Sequence, residues 1–353
     1  MGLVVRAVLR CSVAATEPGD VITVDRQALI VLCLAALGAA GASRRVAELL
    51  TDAALFAEDR GKAVVGVAHL LDHVDAMEDG RLDGRAVPLL AHPSPAVTTA
   101  DARGGIAQSG FDEGFDDLVN AARRYGVVAF AQKGSFTCGP LGWFTERLAN
   151  SGLVAVATAV SPALLAAGPD TGRVFGTNPL AYSVPRARGL PLTVDQASSS
   201  TAFVSVRDAA ARGLSLPEGW AVDAEGNPTT DAEAALAGAL LPFGGYKGAN
   251  IALLVELLSA MAGGNWSADA PPWDSGSRSP SIGMFVLAVD HGTVGREFSE
   301  RVTDYLNRLV DSGVQLSGGR MTTVPSAPPD QIELRADIVE ALRRRADGNS
   351  ACN

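Results

Sequence analysis

The chain has 353 residues, 47% of them hydrophobic, with mean hydropathy +0.18, enough apolar material for a large core and more than one domain. A formal net charge of −10, with no basic run to reverse it locally, argues against nucleic acid and anionic membrane as partners. Cys11, Cys33, Cys138 and Cys352 are scattered and form no CxxC pair, so a disulfide framework and a zinc site are not expected and the thiols read as reduced, in a cytoplasm.

Residues 1–23 read as an N-terminal extension: Arg6 and Arg10 sit among short apolar patches, but no cleavage boundary follows. Asp25 can cap a helix through Leu37. Ser43 can cap a second, in which Val46, Leu49, Leu50 and Ala53 fall at i, i+3, i+4 and i+7. The apolar run Ala28 to Ala42 is shorter than a membrane span of about 20 residues and is bounded by Arg26 and Arg44, so it is predicted to be a buried helix. Residues 24–85 are thus predicted to form a helical layer, and the Pro- and Ala-rich stretch Ala86 to Ala100 a linker or an extended edge.

From Phe111 the elements alternate, which predicts an α/β domain over residues 86–346, ahead of a tail at 347–353. Phe115 to Tyr125 and Trp143 to Ala149 read as helices, Val127 to Ala131 and Leu153 to Val160 as strands. Leu216 to Asp231 carries a turn signal at Glu225-Gly226-Asn227 and is predicted to be an exposed hairpin or flap. The helix after Gly248 is apolar nearly all round, with Leu253, Leu257 and Met261 beside the stripe of Ile251, Leu254, Val255 and Leu258, and is expected to be central. Ala270 to Pro280 reads as a mobile loop and Ile282 to Asp290 as a buried strand. An amphipathic helix from Phe298 stops at Gly313, and a last one runs from about Ile332 to Arg345.

Several segments carry chemistry. No GxGxxG follows a predicted strand, so nothing supports an ordinary Rossmann site. GGYKG combines close backbone approach, a cation and a helix start, the makings of an anion site; a tight turn with a solvated lysine is the alternative. Lys62, Lys133 and Lys247 are the only lysines, which singles out Lys247. Asp195 ends a predicted strand, where α/β folds place chemistry, or it caps the next helix. His69 and His73, four residues apart, read as a surface pair, and no metal site is expected. Cys138, in a Gly-rich turn, is a possible nucleophile or a small buried hydrophobe.

Together FGTNPLAYSVP (Phe175 to Pro185), LPEGWAVDAEGNPTTD (Leu216 to Asp231) and LPFGGYKG (Leu241 to Gly248) resemble the malate/L-lactate dehydrogenase family, which is unrelated to the Rossmann-type lactate dehydrogenases. The similarity runs from about Val24 to Ala346. It implies a helical N-terminal layer, a non-Rossmann mixed-sheet domain for a nicotinamide cofactor, NADH or NADPH, and an intertwined homodimer acting on a small molecule. By that resemblance Pro191, Asp195, Gln196, Ala197, Tyr246, Lys247 and Ser326 fall on cofactor-binding segments. The family's SHGVxR stretch aligns on Val64 to His69, so Val64 replaces its serine, Val65 its proton-donating histidine and His69 its carboxylate-binding arginine. Its NHFGxxG aligns on Phe136 to Gly142, with Thr137 in place of a histidine.

Hydride delivery to a ketone needs an acid that Valine cannot supply, and such an acid contributes about 10²–10⁴-fold. A cyclic imine can enter already protonated. The first expectation is therefore a diverged NAD(P)H-dependent reductase of a small cyclic imine or keto-acid-like substrate. Asp195 stands beside the nicotinamide in this reading, and His69, Thr137 and Lys133 are the candidate polar groups. Val64, Val65, Cys138 and Ser161 line the substrate pocket. The alternatives are a non-redox cyclisation or elimination on the same scaffold and an inactive paralogue serving as a binding subunit.

Overall fold

The computed structural model describes residues 20–168, 171–295, 297–314 and 329–348. Strand β1 (Val21–Asp25) leads into α1 (Arg26–Ala39), which begins where the Asp25 carboxylate accepts the Ala28 amide at 2.8 Å. Ser43 Oγ accepts the amide of Val46 and starts α2 (Arg44–Asp59). After a single 3-10 turn (Ala63–Val65), α3 (Val67–Glu78) begins where Glu58, on α2, accepts the Val67 amide at 2.7 Å. That bond sets the angle at which α3 leaves, and so where its first-turn side chains point.

Of the two readings for residues 86–100, the extended edge holds and the linker does not. These residues hold most of the hairpin β2 (Leu89–Ser94) and β3 (Val97–Asp101), the edge of the main sheet. Helices α4 (Ala107–Glu113) and α5 (Phe115–Tyr125) follow; α5 stops at Gly126, which takes the left-handed φ of 81° that terminates helices cheaply only at glycine. Next come β4 (Val127–Ser135), α6 (Gly142–Asn150), β5 (Leu153–Ala159), β6 (Leu165–Ala166), β7 (Arg173–Phe175), β8 (Leu180–Val184) and β9 (Leu192–Gln196). The chain continues through α7 (Phe203–Ala211), β10 (Ala221–Val222), β11 (Pro228–Thr229), α8 (Ala232–Ala237), β12 (Ala239–Leu240), α9 (Tyr246–Ala260) and β13 (Ile282–Asp290). It closes with α10 (Phe298–Asp311), β14 (Gln331–Arg335) and α11 (Ala336–Ala346).

The main sheet has seven strands in the order β2-β3-β4-β13-β5-β8-β9, antiparallel throughout except for the parallel pair β3–β4. This is a mixed α/β fold without the parallel crease of a Rossmann domain. A five-stranded sheet, β11-β10-β12-β6-β7, carries the predicted hairpin, whose base is buried at Ala221 and Val222 and whose tip is exposed at Glu225 and Asn227. One core runs from Leu29 on α1 through Phe111, Phe130 and Phe144 to Leu342 on α11, so the helical layer and the main sheet share their apolar interior.

Two expectations need correcting. The start of the predicted last helix is strand instead: β14 pairs with β1, Val24 opposite Ile332, because Ile332 and Leu334 alternate inward, and helix follows only from Ala336. Helix α9 buries Ala252, Val255 and Ser259, but Leu253, Leu254, Leu257 and Met261 are exposed on the single chain. It is therefore apolar all round yet central on one side only.

Candidate functional site

A cavity of about 350 Å³ opens between the helical layer and the β9 end of the main sheet, within the range usual for small-molecule sites. Val64, Val65, His69, Thr137, Cys138, Ser161, Asp195, Gln196 and Ala197, all singled out in the sequence, line it together. Lys62, Trp273 and Ile282 complete much of the wall. Lys133, Pro191, Tyr246 and Lys247 do not line it. Lys133 points away: β3 and β4 pair it directly with Asp101, and its Nζ lies 3.5 Å from that carboxylate. Pro191 is buried just ahead of β9. Ser326 lies outside the described residues.

Asp195 does cap a helix, but not the next one. Its Oδ2 accepts the amide of Gly142 at 2.9 Å, at the start of α6. Lys62 Nζ donates to the Asp195 carbonyl. Burial pushes the Asp195 carboxyl above its usual range, against the opposing pull of Lys62 and of the Gly142 and Leu141 amides. Beneath this corner Arg60, at the end of α2, donates to buried Glu146 on α6, which also accepts Thr193 Oγ1 at 2.8 Å. Helix α6 and strand β9 are thereby locked behind the cavity wall.

The opposite rim is set by the GTNPLA segment. Asn178 is buried with φ of 38°, a left-handed conformation that asparagine tolerates better than most residues. Its amide donates to the Ala252 carbonyl at 3.0 Å and to Glu256 Oε2 at 2.6 Å, while its Oδ1 accepts the Ser161 amide at 3.3 Å. The motif thus fastens the Ser161 wall to α9.

The histidine pair is not on the surface. His73 is 3% exposed, packed edge-on to Phe136 with ring centroids 5.6 Å apart, and its Nδ1 lies 2.8 Å from the His69 carbonyl. Burial first, then the neighbouring His69, holds the His73 pKa down at about 3. His69 reaches the cavity with Nδ1 at 2.7 Å from Asp72 Oδ2 and Nε2 at 3.3 Å from Thr137 Oγ1. Asp72 and His73 are functional candidates that the sequence reading missed, although the i, i+4 spacing and the acid between the two histidines were visible. Trp273 was missed too: its loop is irregular as expected, but Arg81 donates to the Trp273 carbonyl and the indole stands edge-on to His69 at 5.7 Å. Cys138 is buried, and burial and then the charge of Asp195 push its thiol up to about 12, which fits the small buried hydrophobe better than a nucleophile.

The GGYKG loop abuts the site through chain neighbours. Phe243 N donates to Ser198 O at 3.1 Å and Ser200 N to Leu241 O at 2.8 Å, just past Gln196 and Ala197. A Cβ on Gly248 would stand 2.2 Å from the Phe243 carbonyl, so only glycine permits this start of α9. The first amides of α9 have no intrahelical acceptor, and Lys247 stands among them. That donor set, with an apolar cavity wall at Val160, Pro162, Val204 and Ile282, suits a dinucleotide: diphosphate at the helix terminus and an uncharged ring against the wall.

The fold is that of a class of non-Rossmann dehydrogenases, and the family model for malate/L-lactate dehydrogenase matches residues 24–332. The chain belongs to that family. It is similar to the (2R)-3-sulfolactate dehydrogenase (NADP(+)) of Chromohalobacter salexigens, at 34% identity over 89% of this chain and 95% of that protein. It is 41% identical to a Δ1-pyrroline-2-carboxylate reductase of Pseudomonas fluorescens, over 64% of this chain and 68% of that one. The crystal structure of Δ1-piperideine-2-carboxylate reductase from Pseudomonas syringae superposes with a TM-score of 0.84 at 31% identity, covering 92% of this chain and 99% of that one. These likenesses make this an oxidoreductase-family enzyme and support a nicotinamide cofactor. Among the described residues no helix is long and apolar enough to cross a membrane.

Proposed function

We propose that the protein is an NAD(P)H-dependent reductase of small cyclic imines bearing a carboxylate. The observation that carries this reading is that one cavity is lined by apolar Val64 and Val65 together with Asp195, Lys62 and His69. The two relatives that act on cyclic imine carboxylates support it. A bound reduced nicotinamide supplies a hydride to the imine carbon. The chain must then hold the substrate and manage charge. Lys62, held by the Asp195 carbonyl, supplies positive charge for the carboxylate with the His69 imidazole beside it, and Asp195 faces the iminium. The valines exclude water, which strengthens each of these attractions. Tyr246 and Lys247 sit at the helix terminus proposed for the diphosphate.

The test is oxidation of NADPH and NADH by purified protein with Δ1-pyrroline-2-carboxylate, Δ1-piperideine-2-carboxylate and pyruvate. Imine-dependent oxidation is expected. Cofactor binding without turnover of any of these would favour a non-redox role.

The second part of the proposal is a homodimer. Leu253, Leu254 and Leu257 on α9 and Met261 just past it are exposed apolar side chains on one element, and clustered exposed apolar residues mark interaction sites. Light scattering is expected to give twice the chain mass, and Leu257→Glu to halve it; a monomeric wild type would reject the dimer.

A further inference from the structure

Of residues 272–278, in the irregular loop before β13, only Trp273 is not exposed; it packs against the main core and lines the cavity. Three contacts from outside the loop hold it. Arg81, itself 4% exposed, donates to the Trp273 carbonyl, and its guanidinium lies 5.9 Å from the ring of fully buried Phe136. His69 on α3 stands edge-on to the indole at 5.7 Å. Arg207 on α7 lies over the indole, 5.9 Å from the ring centroid. The loop cannot lift away without taking an acceptor from a buried guanidinium, which is costly. The indole is therefore a fixed wall in a stretch of chain that otherwise faces solvent.

Its place in the cavity is specific. His69 lies four residues beyond Val65, and both line the cavity with Lys62. The other end runs through Gln196 and Ala197 toward the GGYKG loop. Trp273 thus borders the space that the reductase reading gives to the substrate, not the space it gives to the diphosphate. The cavity of about 350 Å³ is near the lower end of the usual range of about 300–1,000 Å³, and in that reading it takes the nicotinamide ring as well as the substrate. Little room is left, and the largest side chain on the wall bounds it.

We propose that Trp273 is a specificity-determining residue of this site, one that admits a five-membered cyclic imine carboxylate and turns away the six-membered one. The inference rests on the reductase reading above and deepens it by fixing the ring size. The two substrates share the carboxylate and the C=N bond and differ by one ring methylene. Lys62 and Asp195, which answer to charge, cannot tell them apart, so the choice falls to an apolar wall. A wall that yields would accept both rings. One held by Arg81, His69 and Arg207 has to be driven out of a packed position by the extra methylene. In an apolar pocket a single methylene is worth about 10–200-fold.

The test is a comparison of ring sizes on the full chain. With NADPH or NADH at saturation, the wild type is expected to favour Δ1-pyrroline-2-carboxylate over Δ1-piperideine-2-carboxylate by about 10-fold or more in kcat/KM. Trp273→Ala should erase or invert that ratio, and Trp273→Phe, which keeps a smaller ring on the same anchored backbone, should fall between. A residue that only supports the fold would lower both rates together and leave the ratio alone. Should Trp273→Ala not fold, Trp273→Leu carries the same comparison. A wild type that prefers the six-membered ring, or a variant ratio within about two-fold of the wild type, would overturn the assignment. Should the wild type turn over neither imine, the reductase reading falls, and the ring-size assignment is decided by binding. Calorimetry with pyrrole-2-carboxylate and pyridine-2-carboxylate, planar five- and six-membered rings, is then expected to show the smaller ring held more tightly by the wild type and the preference lost in Trp273→Ala. Equal binding of the two by the wild type, a preference that survives in the variant, or binding of neither, rejects it.

Discussion

Asp195 and Gly142 are joined across the cavity wall: a carboxylate oxygen at the end of β9 accepts the first amide of α6 at 2.9 Å. One side chain therefore both caps a helix and faces the reaction space, and the two duties conflict. Burial raises the Asp195 carboxyl, so the folded state binds its proton more tightly than the unfolded state. Stability is then highest below the unfolded value and falls as pH rises toward the folded one. Asp195→Asn keeps an acceptor for Gly142 and removes the charge. It is expected to gain about 0.5–2 kcal/mol at neutral pH while losing about 10²-fold in kcat/KM. Urea melts beside steady-state rates check both; a destabilised variant would show that the charge supports the fold.

Glu256 should behave oppositely. Its buried carboxylate accepts the Asn178 amide and both the amide and hydroxyl of Ser267, each at 2.6 Å. Glu256→Ala strands these donors and is expected to cost at least about 3 kcal/mol, with Glu256→Gln costing less. Denaturant titration of the pair measures it.

His73 gives the stability curve an acid slope. Its pKa is depressed in the fold to about 3, from an ordinary 6.5. As pH falls through 6.5 the unfolded chain takes a proton that the folded one refuses, and stability drops until about pH 3. The loss is on the order of 5 kcal/mol over that window. His73→Asn should flatten this limb, whatever it does to stability at neutral pH; an unchanged slope in pH-dependent melts would count against a buried neutral imidazole.

Cys138 and Cys33 are buried with thiols near 12. Neither should react with iodoacetamide at about pH 8 while the protein is folded, and both should react after denaturation, as mass mapping of the labelled chain would show.

Much of this was legible in the sequence where the signal is local. The caps Asp25 and Ser43, helix Phe115–Tyr125 and strand Ile282–Asp290 stand as predicted, because capping chemistry and periodicity act within a few residues. What failed depends on distant partners. The strand Gln331–Arg335 is a strand only because β1 pairs with it, whereas the extended edge offered for Ala86 to Ala100 is realised as the hairpin β2–β3. His73 looked like a surface residue because its burial comes from Phe136, far along the chain. Trp273 was hidden in a Pro- and Ser-rich loop that Arg81 fastens from another element. Lys133 was attractive by composition, but strand register gave it to Asp101.

A dinucleotide-binding frame that has lost the proton-donating histidine at position 65 should favour a substrate that arrives already protonated, and substrate preference tests this most directly. Consumption of reduced nicotinamide should be faster, by about 10²-fold in kcat/KM, with Δ1-pyrroline-2-carboxylate than with pyruvate. A preference for pyruvate, or no consumption with either at saturating cofactor, would contradict the account.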